Sequence, residues 1–166
     1  MSELICDISS IQYLPQLGVL HILPALAERI VIPPAVMTEI AAGRALGVNL
    51  PDLEALDWIT VRRPVSDAAL PLVVHLGPGE TQVLMLALEM PEAIAVLDDA
   101  LARGMAEALD LPLTGTLGLL LDAKRAGLVS HIRPLLDRLQ ALRFRLAEYT
   151  RVAVLKLAEE EDDATT

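Results

Sequence analysis

Two adjacent carboxylates, Asp98 and Asp99, end the apolar run Ile94-Ala95-Val96-Leu97, and helical spacing resumes after them through Leu101, Met105, Ala108 and Leu109. The same layout occurs near the N-terminus, where Leu4-Ile5-Cys6 ends in Asp7, with Ser9 and Ser10 at a helix entry. A short apolar run, then charge, then a helix pattern marks a buried parallel strand feeding a helix. Acids at the carboxyl ends of such strands lie in the crevice where open α/β sheets bind ligands. Two carboxylates about 4 Å apart repel by about 4 kcal/mol at an effective dielectric near 20, a cost that a divalent cation removes. A local use competes with this one: Asp98 ends its strand and Asp99 caps the next helix.

Two glutamates extend the set. Glu39 falls beside the apolar stripe Val36, Ile40 and Ala41, not opposite it, on the helix that Pro34 opens. That position suits a carboxylate turned toward the protein or one that reaches out to solvent. Glu80 follows Gly77-Pro78-Gly79 at the entrance of a helix over 81–89, whose apolar body VLMLAL must be buried on several sides. A first-turn acid gains ~0.3–1 kcal/mol from the helix dipole, while the glycines let backbone approach a ligand closely. Asp7, Glu39, Glu80 and Asp98 (with Asp99) thus come from four separate elements. If the first and fourth strands are neighbours, right-handed crossovers bring all of them to one edge of the sheet. Oxygen ligands without Cys or His favour Mg2+ or Mn2+. A pair of such ions about 3.5–4 Å apart is the usual apparatus of in-line phosphodiester cleavage.

Positioning these acids requires a particular framework. Further strands are expected at Arg29-Ile30-Val31-Ile32, stopped by Pro33-Pro34, and at Trp58-Ile59-Thr60-Val61, ended by Arg62-Arg63-Pro64. A fifth is expected at Leu111-Pro112-Leu113-Thr114, closed by Gly115-Thr116. Helices are expected over 11–17, 19–28 (with Pro24 as a kink or a new first turn), 51–56, 66–76, 117–126, 132–142 and 146–158. Strands alternating with helices imply a three-layer α/β/α sandwich with a mostly parallel sheet.

Composition narrows the class. The chain has 166 residues, 54% hydrophobic, with a net charge of −10 and a mean hydropathy of +0.49. This suits one domain over 1–158 with ample core. No apolar run is long enough to span a membrane, and the acidic, non-basic start MSELICDISS argues against a signal peptide and for the cytoplasm. The single cysteine, Cys6, excludes an internal disulfide and reads as a buried structural thiol in a reducing compartment. His21, His75 and His131 are isolated from one another and from Cys6, so no zinc site is expected. The last eight residues, 159–166, hold five acids and read as a solvated, disordered tail. Lys124 and Arg125, Arg133, Arg138, Arg143, Arg145 and Arg151 make 124–151 basic against Asp137 and Glu148. Such a stretch suits phosphate contact, a solvated face or a partner. Four aromatics, Tyr13, Trp58, Phe144 and Tyr149, are too few for a base-stacking platform.

Taken in order, CDISS, RIVIPPAVMTEI, LGPGETQVLMLALE, VLDDALAR and LPLTGTLGLLLDAKRAGLV resemble the PIN-domain family, in particular a bacterial and archaeal branch of PIN-like proteins. The resemblance covers most of the chain. It implies a five-stranded parallel sheet in the order 3-2-1-4-5 and a metal-dependent ribonuclease acting on RNA. In many relatives that enzyme is the toxin of a toxin–antitoxin pair, and homodimers are common. Carried over by position, Asp7, Glu39, Glu80 and Asp98 would bind Mg2+ or Mn2+, with Asp99 as a fifth ligand. Ser9 would support the first carboxylate, Thr116 would reach the same pocket, and Arg103 would hold Asp99 or a phosphate. Arg103 also stands at the i+4 spacing from Asp99 that stabilises a helix. Two of the matched acids are glutamates, whose longer arms loosen the geometry. An antitoxin, if present, would dock a basic or amphipathic segment near the acidic crevice. The rival readings are a non-catalytic PIN-like module that binds RNA or protein, and a phospho-acceptor receiver domain. The latter needs a lysine just after the fifth strand, and the only lysines are Lys124 and Lys156. Phosphate-loop, Rossmann and nucleophile-elbow fingerprints are absent from the sequence.

Overall fold

Five strands form one sheet in the order β3-β2-β1-β4-β5, and every pairing is parallel. They are β1 Glu3–Cys6, β2 Arg29–Ile32, β3 Ile59–Val61, β4 Ile94–Val96 and β5 Leu113–Thr114. The computed structural model describes residues 3–66 and 75–160, so most of the helix expected over 66–76 lies outside the described residues. The chain divides into two compact units, Met1–Thr116 and Leu117–Thr166. The sheet belongs to the first.

The expected strand order is the observed one. Leu4, Ile5 and Cys6 of β1 are fully buried, as are Ile30 and Ile32 of β2 and Ala95 of β4, which is why these runs carry no alternation of polar residues. Because β1 lies between β2 and β4, the direction of strand addition reverses there. The carboxyl ends of β1 and β4 therefore bound a crevice at the topological switch point. Asp7 directly follows β1, and Asp98 follows β4 by one residue.

Helices α1 Ile8–Gln16, α2 Ile22–Leu26, α3 Pro34–Ala45, α4 Pro78–Glu89 and α5 Ala100–Ala108 flank the sheet. Pro34 opens α3 at its first position, where a missing N–H costs nothing. Helix α2 is shorter than the sequence pattern, because Ala27 turns extended to enter β2. The expected helix over 51–56 is a single 3-10 turn, Leu53–Ala55. Helix α4 packs against α3, α5, β1 and β4, and that burial on several sides explains its nearly all-apolar body. The Gln82 side chain accepts a 2.8 Å bond from the Ala35 N–H, tying the first turn of α3 to α4.

In the second unit, α7 Arg133–Ala141 and α8 Glu148–Leu157 follow α6, which spans Thr116–Arg125. Ile132, Leu136 and Leu139 are fully buried, the stripe that helical periodicity predicts. Glu160 corrects the expectation of a solvated tail over 159–166. Its carboxylate accepts bonds from Lys124 Nζ at 2.7 Å, Ile132 N–H at 2.8 Å and Arg133 N–H at 3.2 Å, and its backbone carbonyl accepts from the Arg133 guanidinium. Residues 161–166 lie outside the described residues. Much of the basic stretch is consumed locally: Lys124 and Arg133 serve Glu160, while Arg151 bonds Asp137 and Gln140. No helix among the described residues is long and apolar enough to cross a membrane.

Candidate active site

Asp7 occupies the N-cap position of α1 with an extended backbone, yet its side chain makes no capping bond. It is 1% exposed, and its Oδ1 is buried without a hydrogen-bond partner among the described residues. An aspartate at an N-cap ordinarily gives its oxygens to the second or third N–H of the helix. Asp99 does so, accepting 2.9 Å from Ala102 N–H as the cap of α5. The two residues look alike in sequence and are used oppositely. Asp99 is also exposed, so the structure places it as a cap and not as a fifth member of the cluster.

Glycines create the space into which the acids converge. A Cβ on Gly79 would lie 2.8 Å from Glu39 Oε1 and 3.1 Å from Asp7 Oδ1. A residue of α3 and the one that follows β1 thus meet over the first turn of α4. The Gly79 N–H fixes the first of them, donating to Glu39 Oε1 at 3.2 Å. A Cβ on Gly77 would come within 2.5 Å of Glu80 Oε2, and one on Gly115 within 2.7 Å of Asp98 Oδ1 and 2.9 Å of Arg103 Nη1. Side chains at Gly77 and Gly79 would push the Glu80 and Glu39 carboxylates from the positions they take.

Asp98 is held rigidly. Thr116, fully buried, donates its N–H to Oδ1 at 2.9 Å and its hydroxyl to Oδ2 at 2.6 Å. The expected reach of Thr116 into the pocket is therefore met at Asp98. Arg103 Nη1 donates to the Leu97 carbonyl at 2.8 Å and its charge acts on Asp98; among the described residues no ion pair joins it to Asp99. Ser9 departs from the sequence expectation. The buried hydroxyl beside the first acid is that of Ser10, which bonds the Asp7 backbone carbonyl at 3.4 Å, and among the described residues no bond joins Ser9 to the Asp7 carboxylate. Three residues from Asp7, one helical turn on, Ser10 returns under it; Ser9 does not.

The electrostatics follow from this crowding. Burial pushes the Asp7 carboxyl up to about 7, a bond from Ile8 N–H opposes it, and the charges of Glu80, Glu39 and Asp98 add to the rise. Glu39 is raised by burial and by Glu80, against the pull of Gly79 N–H. Asp98 is raised by burial, although Thr116 and Arg103 pull it down. The geometry beside Gly79 brings two of these acids, Asp7 and Glu39, together. Among the described residues no group of three or more Asp, Glu, His or Cys side chains is close enough to hold a metal ion. The donor set fits a hard divalent cation: every ligand atom offered is a carboxylate oxygen, and the buried Asp7 Oδ1 lacks any other partner. Gly115, Ser10 and Gln82 were not legible as contributors here; Gly79 carried a signal as part of the Gly-Pro-Gly run before Glu80.

A comparison with curated proteins finds no match. A family model described as a PIN domain matches residues 3–160. With that match over nearly the whole chain, and the sheet order it shares, the chain belongs to the PIN-domain family.

Proposed function

We propose that this protein is a Mg2+- or Mn2+-dependent endoribonuclease, and that Asp7, Glu39, Glu80 and Asp98 would hold the cation. The observation that carries the reading is Asp7: a buried carboxylate at a helix N-cap that does not cap, with one oxygen unpartnered and three other acids acting on it. A fold retains so costly an arrangement where the charge has a use. When bound, the cation supplies an activated water and a counter-charge for the leaving oxygen of a phosphodiester. The chain's own residues do the positioning. Thr116 locks both oxygens of Asp98, Gly79 N–H orients Glu39, and Arg103 braces the end of β4 through Leu97. Asp99 and Ser9 take no part in this reading.

The match over residues 3–160 favours one functional domain over 1–158. A cytoplasmic toxin role, a cognate antitoxin with a basic or amphipathic docking segment, and a homodimer are finer proposals that rest on the family alone. The test is incubation of purified protein with mixed RNA and Mn2+ beside Asp7→Asn and Glu39→Gln. Cleavage by the natural chain that falls at least ~100-fold in either variant supports the reading. Equal cleavage by all three, or none by any, overturns it in favour of a non-catalytic RNA- or protein-binding module.

A further inference from the structure

An edge of four carboxylates repels the very polyanion it is proposed to cut, so the strand needs cationic side chains close by. The sheet register supplies them. Ile5 pairs with Val31, and Val31 with Thr60; two residues further along each strand, Asp7, Pro33 and Arg62 fall in one row at the carboxyl edge. Two strand spacings separate the ends of that row, about 10 Å. Arg63 follows Arg62 directly. Both arginines are exposed, and neither has a side-chain hydrogen bond or ion pair among the described residues. Other arginines of the first unit are committed: Arg29 to Glu3, Arg44 to Asp52, Arg103 to the Leu97 carbonyl.

The segment that carries the pair is pinned at both ends. Arg62 N–H bonds the Ile32 carbonyl at 3.2 Å, which extends the β2–β3 ladder past β3. The Glu89 carboxylate, at the end of α4, accepts from Val65 N–H at 2.7 Å and Ser66 N–H at 3.2 Å. Arg62 is thus held on a fixed backbone in the same row as the first acid of the cluster, with Arg63 next to it in the chain. We propose that Arg62 and Arg63 form a phosphate subsite that holds the backbone of single-stranded RNA beside the carboxylate cluster. This rests on the ribonuclease reading and names positioning residues for it. Guanidinium forks match phosphate oxygens, and backbone contacts fix register without reading sequence.

The test separates binding from cutting. Fluorescence anisotropy of a labelled 12-nucleotide RNA is measured with the chelator EDTA present, across a range of salt concentrations. For single strands each neutralised phosphate contributes about 0.7 to the slope of log affinity against log salt. The double variant R62A/R63A is expected to lower that slope by about 1.4 and to weaken affinity about tenfold at low salt, while R62K/R63K keeps the slope. In Mn2+ the alanine variant should raise KM and leave kcat unchanged. Unchanged affinity and slope in R62A/R63A overturn the subsite. If that variant instead loses retention on polyglutamate resin, the pair belongs to an acidic polypeptide, and the RNA assignment falls. Pair-dependent RNA binding by a chain that never cuts in Mn2+ supports the subsite and removes the nuclease reading alone.

Discussion

Asp7 is a buried carboxylate and Glu160 a part-buried one, and the protein treats them in opposite ways. Glu160, with its side chain 9% exposed, receives Lys124 Nζ and the N–H groups of Ile132 and Arg133. Burial works against its charge, but those donors outweigh it and hold the carboxyl below its ordinary range. Asp7, 1% exposed, has an oxygen with no donor and three acids acting on it. Where the charge serves the fold, the chain surrounds it with donors. Where donors are withheld and acids gathered, the proposed cation would supply the missing positive charge.

That contrast breaks most visibly at Asp7→Asn. Cleavage in Mn2+ should fall at least ~1000-fold, about 4 kcal/mol of transition-state stabilisation. Folding stability at pH 8 should rise, because one member of a repelling set becomes neutral. Mn2+ near 100 times its Kd should stabilise the natural chain by about 2.7 kcal/mol and the variant by far less, measured as thermal midpoints with and without the ion. A variant that loses activity and stability together would instead make Asp7 an ordinary structural acid.

Stability against pH sharpens the comparison, because the two sites have opposite signs. The Asp7 carboxyl rises from an ordinary 3.8 to about 7 on folding. Below pH 4 both states hold the proton and the contribution is complete. Between pH 4 and 7 only the folded chain holds it, so stability declines with rising pH, by on the order of 4 kcal/mol. Glu160 is lowered; its contribution is present above its ordinary value of 4.5 and disappears as pH falls through the folded value. Denaturant titrations in EDTA should show a decline toward neutral pH that Mn2+ reverses, and an acid-side loss that Mn2+ leaves alone. Glu160→Ala should remove the acid-side component and cost about 3 kcal/mol, because it strands donors of a charged bond. Its Mn2+-dependent cleavage at 25 °C should stay at the natural level.

These outcomes also mark where sequence was sufficient. The strands were legible, because apolar runs that end in charge have few meanings in a parallel sheet, whereas their order came from the family resemblance and not from the pattern. Glu160 was not legible, since an acid inside EEEDD looks solvated until the N–H groups of Ile132 and Arg133 are seen to await it. The partner of Arg103 was not legible because it is a backbone carbonyl, Leu97, and main-chain acceptors have no sequence signature. Ser9 and Ser10 differ only in helical phase, which a boundary uncertain by one residue inverts.

The finest test lies between neighbours, Asp98 and Asp99. Asp98 takes two bonds from Thr116 and acts on Asp7, whereas Asp99 spends an oxygen on Ala102 N–H. Asp99→Ala removes an N-cap and should cost about 1 kcal/mol of stability, with cleavage changed by no more than about twofold, since a cap touches no reacting atom. Asp99→Ser keeps an acceptor at the cap and should restore the stability. If Asp99→Ala were instead to abolish cleavage in Mn2+ while Asp99→Ser restored the fold but not the activity, the oxygen at Asp99 would be serving a cation. The line drawn here between a carboxylate that feeds a helix and one that awaits a metal would then move one residue along the chain.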